Sequence, residues 1–275
     1  MGDLTQKVAI VTGGASGIGQ ALCQEMGRRG AIVIVADINM EGAQKVASAI
    51  ASGGCLATPA RIDVSKADDV QKLINETVSI NKRVDYMFNN AGIGIVGEMR
   101  DMDLGLWGDI VNVNLWGVIH GTTSAYQVMV RQGFGHIVNT ASVAGLVPIP
   151  METAYVTTKY GVVGLSLSLR DEARQLGVKV SVVCPGFVRT EIYESATVLR
   201  VNRKDLIAHI PFRPMNASRA ARVILRGVSR NQAVITMPSH ARIFWWLYRL
   251  HPVLLSYWAR KIPRDFRRLR NPAGN

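Results

Sequence analysis

The chain has 275 residues, enough for one or two domains at about 150 residues each and long enough to bury a core without staples. Apolar residues make up 48% and charged residues 19%, which excludes an extensively disordered chain. Three scattered cysteines, Cys23, Cys55 and Cys184, argue against a disulfide framework and a zinc site and point to a reducing compartment.

The net charge of +12 is uneven: residues 1–169 carry 12 basic and 14 acidic groups, residues 170–239 carry 12 and 5, and residues 240–275 carry 8 and 1. The C-terminal part therefore suits an acidic partner, whether membrane surface, nucleic acid or anionic substrate. No signal peptide is expected, because residues 8–11 run into a glycine-rich turn rather than a long apolar core. Gly2 lacks the Ser or Thr that myristoylation wants at position 6, where Gln6 stands. No apolar run reaches the roughly 18 residues of a spanning helix.

In chain order, residues 8–11 read as a buried strand, 18–29 as a helix, 31–36 as a strand and 40–51 as a helix. Strands at 55–60 and 84–89 flank a helix near 68–79. Strands at 136–141 and 178–184 flank a long helix over 153–176, and a helix around 217–229 precedes a last strand at 234–237. Strands alternating with helices mean βαβ units, and continuous apolar strands mean a sheet covered on both faces. The expectation is an α/β fold: a Rossmann-type doubly wound parallel sheet in a single domain over 1–239, with a lid at about 187–215. An aromatic and basic helical appendage follows over 240–275.

Residues Thr12 to Gly19 read TGGASGIG, directly after the first strand and opening the first helix. Glycines there permit a tight turn and close backbone approach to a pyrophosphate, whose charge meets the helix N-terminus. The spacing is G-x-x-x-G-x-G rather than G-x-G-x-x-G, so the loop alone is equally an ordinary strand-to-helix turn. Asp37 ends the second strand 18 residues after Gly19. A carboxylate there accepts from both adenosine ribose hydroxyls and repels a 2′-phosphate. Neither Ser16 nor Ile38 supplies a cation beside it, which favours NAD over NADP. Arg28 and Arg29 are expected to face solvent.

Beyond this point the chain resembles the short-chain dehydrogenase/reductase family. The resemblance rests on an ordered set: Thr12 to Gly19, Asp63-Val64, Asn89-Asn90-Ala91-Gly92, Asn114, Ser142, Tyr155 with Lys159, and Pro185-Gly186 with Thr190. It covers about residues 5–237. It implies that the loop residues Gly13, Ser16, Gly17, Ile18 and Gly19 hold the dinucleotide, that Asp63 and Val64 contact the adenine, and that Asn90, Ala91 and Gly92 shape the cofactor cleft. It further implies Pro185, Gly186, Val188 and Thr190 around the nicotinamide. Tyr155 would be the acid/base residue, Ser142 would hold the substrate oxygen, Lys159 would bind the nicotinamide ribose, and Asn114 would support a water-linked proton path. An oligomer is implied by resemblance only.

These residue types suit the chemistry. Hydride transfer from an alcohol carbon must be matched by loss of the hydroxyl proton, and a free Tyr with a pKa of about 10 is a poor base at neutral pH. Lys159, four residues on from Tyr155 in a helix, shares its face and is expected to stabilise tyrosinate. No metal is needed, and no ligand cluster is visible.

Residues 143–151 are almost wholly apolar, with Glu152 and Thr153 next to Tyr155, and residues 92–97 add another apolar rim. Such walls favour a lipophilic alcohol or ketone, such as a steroid, retinoid or long-chain alcohol. Some of these residues are alternatively core or a subunit contact. Arg189, Arg200 and Arg203 read as solvated lid charges or as contacts to an anionic substrate. In the appendage, Phe244, Trp245, Trp246, Tyr248, Leu254, Leu255, Tyr257 and Trp258 interleave with Arg242, Arg249, Arg260 and Lys261. That pattern suits an anionic membrane surface, or a helical pair packed on the domain or on a second subunit; no nucleic-acid motif accompanies it.

The expectation is an NAD-dependent oxidoreductase of secondary alcohols or ketones in the cytoplasm, associated peripherally with membrane. The alternatives are a non-catalytic nucleotide sensor and a membrane-interaction protein on the same scaffold.

Overall fold

A computed structural model describes residues 4–208 and 213–270, without the side chains of residues 207, 208, 254–256 and 258. The first half runs β1 (Val8–Thr12), α1 (Gly17–Gly27), β2 (Ile32–Asp37), α2 (Met40–Ala51), β3 (Ala57–Arg61), α3 (Ala67–Asn81), β4 (Tyr86–Asn89), β5 (Ile95–Val96), α4 (Leu104–Val111) and α5 (Gly117–Gln132). The second half runs β6 (Gly135–Thr140), α6 (Thr153–Ala173), β7 (Val178–Pro185), β8 (Val188–Arg189), α7 (Ile192–Ser195), β9 (Thr197–Val198), α8 (Arg203–Ala208), β10 (Met215–Asn216), α9 (Ala217–Ser229) and β11 (Val234–Met237). Three helices close the chain: α10 (Ser239–Leu250), α11 (Pro252–Ala259) and α12 (Lys261–Arg268).

Seven strands form one parallel sheet in the order β11-β7-β6-β4-β1-β2-β3. Their apolar runs are continuous because both faces are covered. Along β1 and β2, Ala9, Val11, Val33 and Val35 point to the face packed by α1, α2 and α9. Ile10, Ile34 and Ala36 point to the opposite face, packed by α3 and α5. This is the period-2 alternation of a strand with two buried sides. Each fully buried Leu, Ile or Phe side chain, such as Leu22, Ile74 or Phe88, contributes roughly 1.5–3 kcal/mol over an exposed one. The chain reverses its direction of winding between β1 and β4, which opens a crevice beyond their carboxyl ends.

Residues 104–132, for which the apolar pattern offered no element, form a nearly continuous helical rod: α4, a π-turn over Asn112–Trp116, then α5. Its glycines hid it, since each costs about 1 kcal/mol against Ala in a helix interior. Packing requires two of them. A methyl group at Gly117 would stand 2.8 Å from Val64 Cγ2, and one at Gly121 would collide with Asn89 Oδ1. Asn89 itself belongs to the core: its Nδ2 donates to Asn139 Oδ1 at 2.8 Å and to Thr122 Oγ1 at 3.2 Å. The expected irregular lid is instead a set of short elements, two of them paired with their surroundings: β9 with β5, and β8 with β10. Its residues 209–212 lie outside the described chain.

Candidate active site

At the end of β1 the Thr12 hydroxyl accepts from the backbone N–H groups of Asn90 (3.0 Å) and Ala91 (3.1 Å). Asn90 Nδ2 returns a bond to the Thr12 carbonyl at 3.1 Å. These contacts stitch the ends of β1 and β4 together. Gly13 and Gly17 hold left-handed backbone, with φ of 65° and 53°. A methyl group at Gly13 would lie 2.9 Å from Ala91 Cα, and one at Gly19 would run into the Gly13 carbonyl. Helix α1 begins at Gly17 without a side-chain cap from Ser16 and without an acid in its own first turn, which leaves N-terminal N–H groups without a capping side chain; a Glu191 carboxylate oxygen stands 3.3 Å from where a Gly17 Cβ would sit. Thr190 closes over this loop, its Cβ and Cγ2 each 3.0 Å from where a Gly17 Cβ would sit.

Asp37 Oδ2 accepts from Ala15 N–H and its Oδ1 from Asn39 N–H, both at 2.9 Å. The carboxylate thus ties the glycine loop to the end of β2. In register beside it on β3 stands Arg61, a cation that nothing in the local sequence placed there. Asp63 is turned into its own loop, accepting from Ser65 N–H and Oγ–H at 3.0 and 2.7 Å. Val64 is buried. Of the two arginines expected in solvent, Arg28 is exposed, whereas Arg29 is largely buried on the Glu25 carboxylate, which both of them pair. Burial of Glu25 in the α1 face demands that partner.

On the far side of the crevice, Ser142 follows β6 and Tyr155 lies in the first turn of α6. The Ser142 hydroxyl stands close enough to the Tyr155 phenol to act on its ionisation. Ser142 Oγ also accepts from Ala144 N–H at 3.1 Å. Lys159, one turn on, is buried; its Nζ lies 5.5 Å from the Tyr155 ring centre and donates to the Thr140 carbonyl at 3.0 Å. A Cβ at Gly92 would be 3.1 Å from Asn114 Oδ1 and 3.5 Å from Lys159 Nζ, so these three residues also meet. Asn114 uses both side-chain atoms on one residue: Oδ1 accepts from Ile93 N–H at 2.8 Å and Nδ2 donates to Ile93 O at 2.9 Å. Its side chain fixes the Gly92–Ile93 loop and keeps a second N–H and a second lone pair. Pro185 and Gly186 end β7 beside Ser142, whose Oγ–H points to the Pro185 carbonyl at 3.4 Å, and Val188 is buried under the lid.

A family model for short chain dehydrogenases matches residues 7–198. The chain belongs to the short-chain dehydrogenase family. It is 33% identical over 200 residues to a cyclohexanol dehydrogenase from Acinetobacter sp., covering 71% of this chain and 80% of that one. It is 36% identical over 196 residues to the oxidoreductase UcpA of Salmonella typhimurium, covering 71% and 74%. Among solved structures it is similar to a short chain dehydrogenase/reductase from Burkholderia phymatum in complex with NAD, with a TM-score of 0.80, 27% identity and coverage of 100% and 99%.

Burial dominates the electrostatics of the Tyr155 and Lys159 pair in this short-chain dehydrogenase. Burial pushes the Tyr155 phenol above its ordinary value, the Glu152 carboxylate pushes it further, and the Ser142 hydrogen bond works in the other direction. Burial also brings Lys159 down to about 8. Desolvation disfavours the charged form of both groups, so the protein by itself favours a neutral phenol beside a weakened ammonium.

The apolar rim is only partly cleft wall. Leu146 and Val147 pack inward with Val162 and Trp245, and Met151 packs against Val201 and Phe266. Ile93, 36% exposed, and the half-buried Ile149, Phe187 and Tyr193 remain on the open side. Of the lid arginines, Arg200 Nε is 3.8 Å from Asp101, Arg203 donates to the Ala196 carbonyl at 2.8 Å, and Arg189 is exposed.

The tail forms a feature with no local sequence signal. Phe266 of α12 is buried against Met151 and Val201, and Val201 forms an antiparallel bridge with Arg270. Arg267 pairs Glu98 at 2.7 Å, and Arg270 pairs both Glu98 and Asp101 at 2.7 Å. Residues 266–270 are thereby strapped across the outer edge of the lid. The two carboxyls are held below the usual carboxylate range, Asp101 chiefly by the Arg270 hydrogen bonds and Glu98 by Arg100 and Arg267 against the opposing cost of burial.

Proposed function

We propose that this dehydrogenase transfers a hydride between NAD and a lipophilic secondary alcohol or its ketone. The reading rests on one observation: a half-buried Tyr155 beside the Ser142 hydroxyl, with Lys159 one helical turn away, at the mouth of a glycine-lined crevice. Bound NAD would supply the hydride acceptor and a positively charged ring. The chain's residues fit that group. The uncapped N-terminus of α1 and Gly13, Gly17 and Gly19 would take the pyrophosphate, with Ser16 and Ile18 beside them. Asp37 would take the adenosine ribose, Asp63 and Val64 would border the adenine, and Asn90, Ala91 and Gly92 would shape the cleft floor. Lys159, with N–H groups beyond the one on Thr140, would hold the second ribose. Pro185, Gly186, Val188 and Thr190 would flank the nicotinamide.

In the oxidative direction Ser142 would hold the substrate oxygen by a hydrogen bond and Tyr155 would take the hydroxyl proton at its phenolic oxygen. In reduction the neutral phenol would return it. The positive ring would offset the desolvation that holds the phenol high. Asn114 would act by fixing the loop that carries Gly92.

The test is a screen of NAD and NADP reduction, followed by absorbance, over cyclohexanol, longer secondary alcohols, sugars and hydroxy acids. Turnover of apolar alcohols with NAD is the expected outcome. Sugars or hydroxy acids as the better substrates would overturn the lipophilic assignment. Binding of NAD with no turnover of any alcohol or ketone would leave the nucleotide-sensor reading in its place.

The appendage supports a second reading, peripheral attachment to an anionic membrane. One face of α10 is packed: Ala241 is buried, Trp245 joins the core, and Tyr248 meets Tyr160. The other face leaves Ile243 58%, Trp246 51%, Leu247 47% and Leu250 65% exposed, followed by Val253 and Tyr257. Arg249 sits over both Trp245 and Trp246, and Arg260 over Tyr257. The side chains of Leu254, Leu255 and Trp258 lie outside the described set. Apolar rings beside guanidinium groups match the headgroup layer of a bilayer. No described helix is long and apolar enough to cross a membrane. The full chain is expected to float with phosphatidylserine-containing vesicles, and a Trp246→Ser, Leu247→Ser, Leu250→Ser variant is expected to stay behind. Equal flotation of the two would remove the membrane reading and favour a protein partner.

A further inference from the structure

Glu152 immediately precedes α6, three residues before Tyr155. Asp, Asn, Ser or Thr at that place ordinarily caps the helix; the longer Glu152 side chain makes no capping bond, and its backbone carbonyl engages the helix by accepting from Val156 N–H at 2.7 Å. Among the described residues its carboxylate has no ion-pair or hydrogen-bond partner. It stands about one turn before Tyr155 at the start of α6, and its field acts on the phenols of Tyr155 and of Tyr193 in α7.

The turn that presents it is held under strain. Met151 adopts φ 72°, a left-handed conformation costly for a side-chain-bearing residue, and its carbonyl is pinned by Gly97 N–H at 2.8 Å. A half-buried carboxyl without a partner, on a strained and pinned turn beside an apolar rim, does nothing for the stability of the fold. Its hydrogen-bonding capacity is free, three residues before Tyr155.

We propose that Glu152 is a specificity-determining residue, whose carboxyl receives a second hydroxyl of the substrate near the carbinol that reacts at Tyr155. The preferred substrates are then apolar alcohols with a second O–H, rather than simple mono-alcohols. Ile149, Pro150 and Met151, the chain neighbours of Glu152, are apolar and favour a neutral hydroxyl over an ammonium at this position. Burial raises the Glu152 carboxyl to about 7, so near neutrality it can accept from that hydroxyl or donate to it.

This inference rests on the alcohol-dehydrogenase reading of the same site. Its test compares kcat/KM for cyclohexanol with that for vicinal and 1,3-related cyclohexane diols, in the wild-type chain and in Glu152→Leu and Glu152→Gln. The wild type is expected to prefer a diol by about tenfold or more, the worth of one hydrogen bond to a charged group. In Glu152→Leu that ratio should collapse toward one through a rise in KM for the diol, and Glu152→Gln should recover part of it. A merely structural role would lower both substrates together and leave the ratio unmoved. An unchanged diol preference in Glu152→Leu, or no diol preference in the wild type, overturns the proposal while leaving the dehydrogenase reading standing. If the wild type turns over no alcohol at all, the dehydrogenase reading fails and this inference fails with it.

Discussion

Tyr155→Phe is expected to lower turnover by about 10²–10⁴-fold, the usual contribution of a positioned acid/base group, while cofactor affinity stays within about twofold. The change deletes one oxygen and leaves the ring. The apolar contacts of that ring with the Ile95, Ile110 and Ala154 cluster therefore survive, and the fold should melt close to the parent. Ser142 loses its partner on that side but keeps its bond from Ala144 N–H, and Lys159 keeps Thr140. What disappears is the phenolic group assigned to take and give the proton beside Ser142. Steady-state rates with titrated cofactor fluorescence separate the two effects, and undiminished turnover would remove the assignment. The direction of the phenol's shift adds a pH signature. Burial and Glu152 hold the phenol above its ordinary value. Alcohol oxidation, which needs the ionised form, should therefore climb with pH through the neutral range, and ketone reduction, which needs the protonated form, should persist into the alkaline range.

Asp37→Ala is expected to lower the NAD-to-NADP ratio of kcat/KM by about 10²-fold, and three effects act in the same direction. Two charge-assisted ribose hydrogen bonds are lost, each worth about 1.5–3 kcal/mol before compensation. The negative charge that repels a 2′-phosphate is removed. Arg61, in register on the neighbouring strand, is then left to face that phosphate with no carboxylate between. Because Asp37 also holds Ala15 N–H, Asp37→Asn serves as the companion variant: it keeps an acceptor for the loop and removes only the charge. It should shift the ratio in the same direction but by less. Parent protein that already prefers NADP would refute the role given to Asp37.

Much of this molecule could be read before it was folded. The strands at Val8–Thr12, Ile32–Asp37 and Val234–Met237 show as short runs of apolar residues, and α2 and α9 fall where the helical period places them. The glycine loop and the order of the family motifs were equally visible, because a turn that needs left-handed backbone or close approach at Gly13, Gly17 and Gly19 restricts residue type locally.

The rod over 104–132 escaped because its glycines answer to Val64 and Asn89, far away in the chain. The buried ion pairs of Glu98 with Arg267 and Arg270 join residues 169 and 172 apart in sequence. Arg61 comes to Asp37 only through strand register, and the loop-fixing side chain of Asn114 and the partnerless Glu152 are known only once their neighbours stand around them. The same holds for ionisation: Tyr155 and Lys159 four residues apart suggest attraction, but burial, which no spacing encodes, drives both toward their neutral forms. Periodicity and turn chemistry depend on neighbours along the backbone and are written in the sequence itself. Desolvation, charge pairing and hydrogen-bond satisfaction depend on neighbours in space, and the tertiary structure alone assigns those.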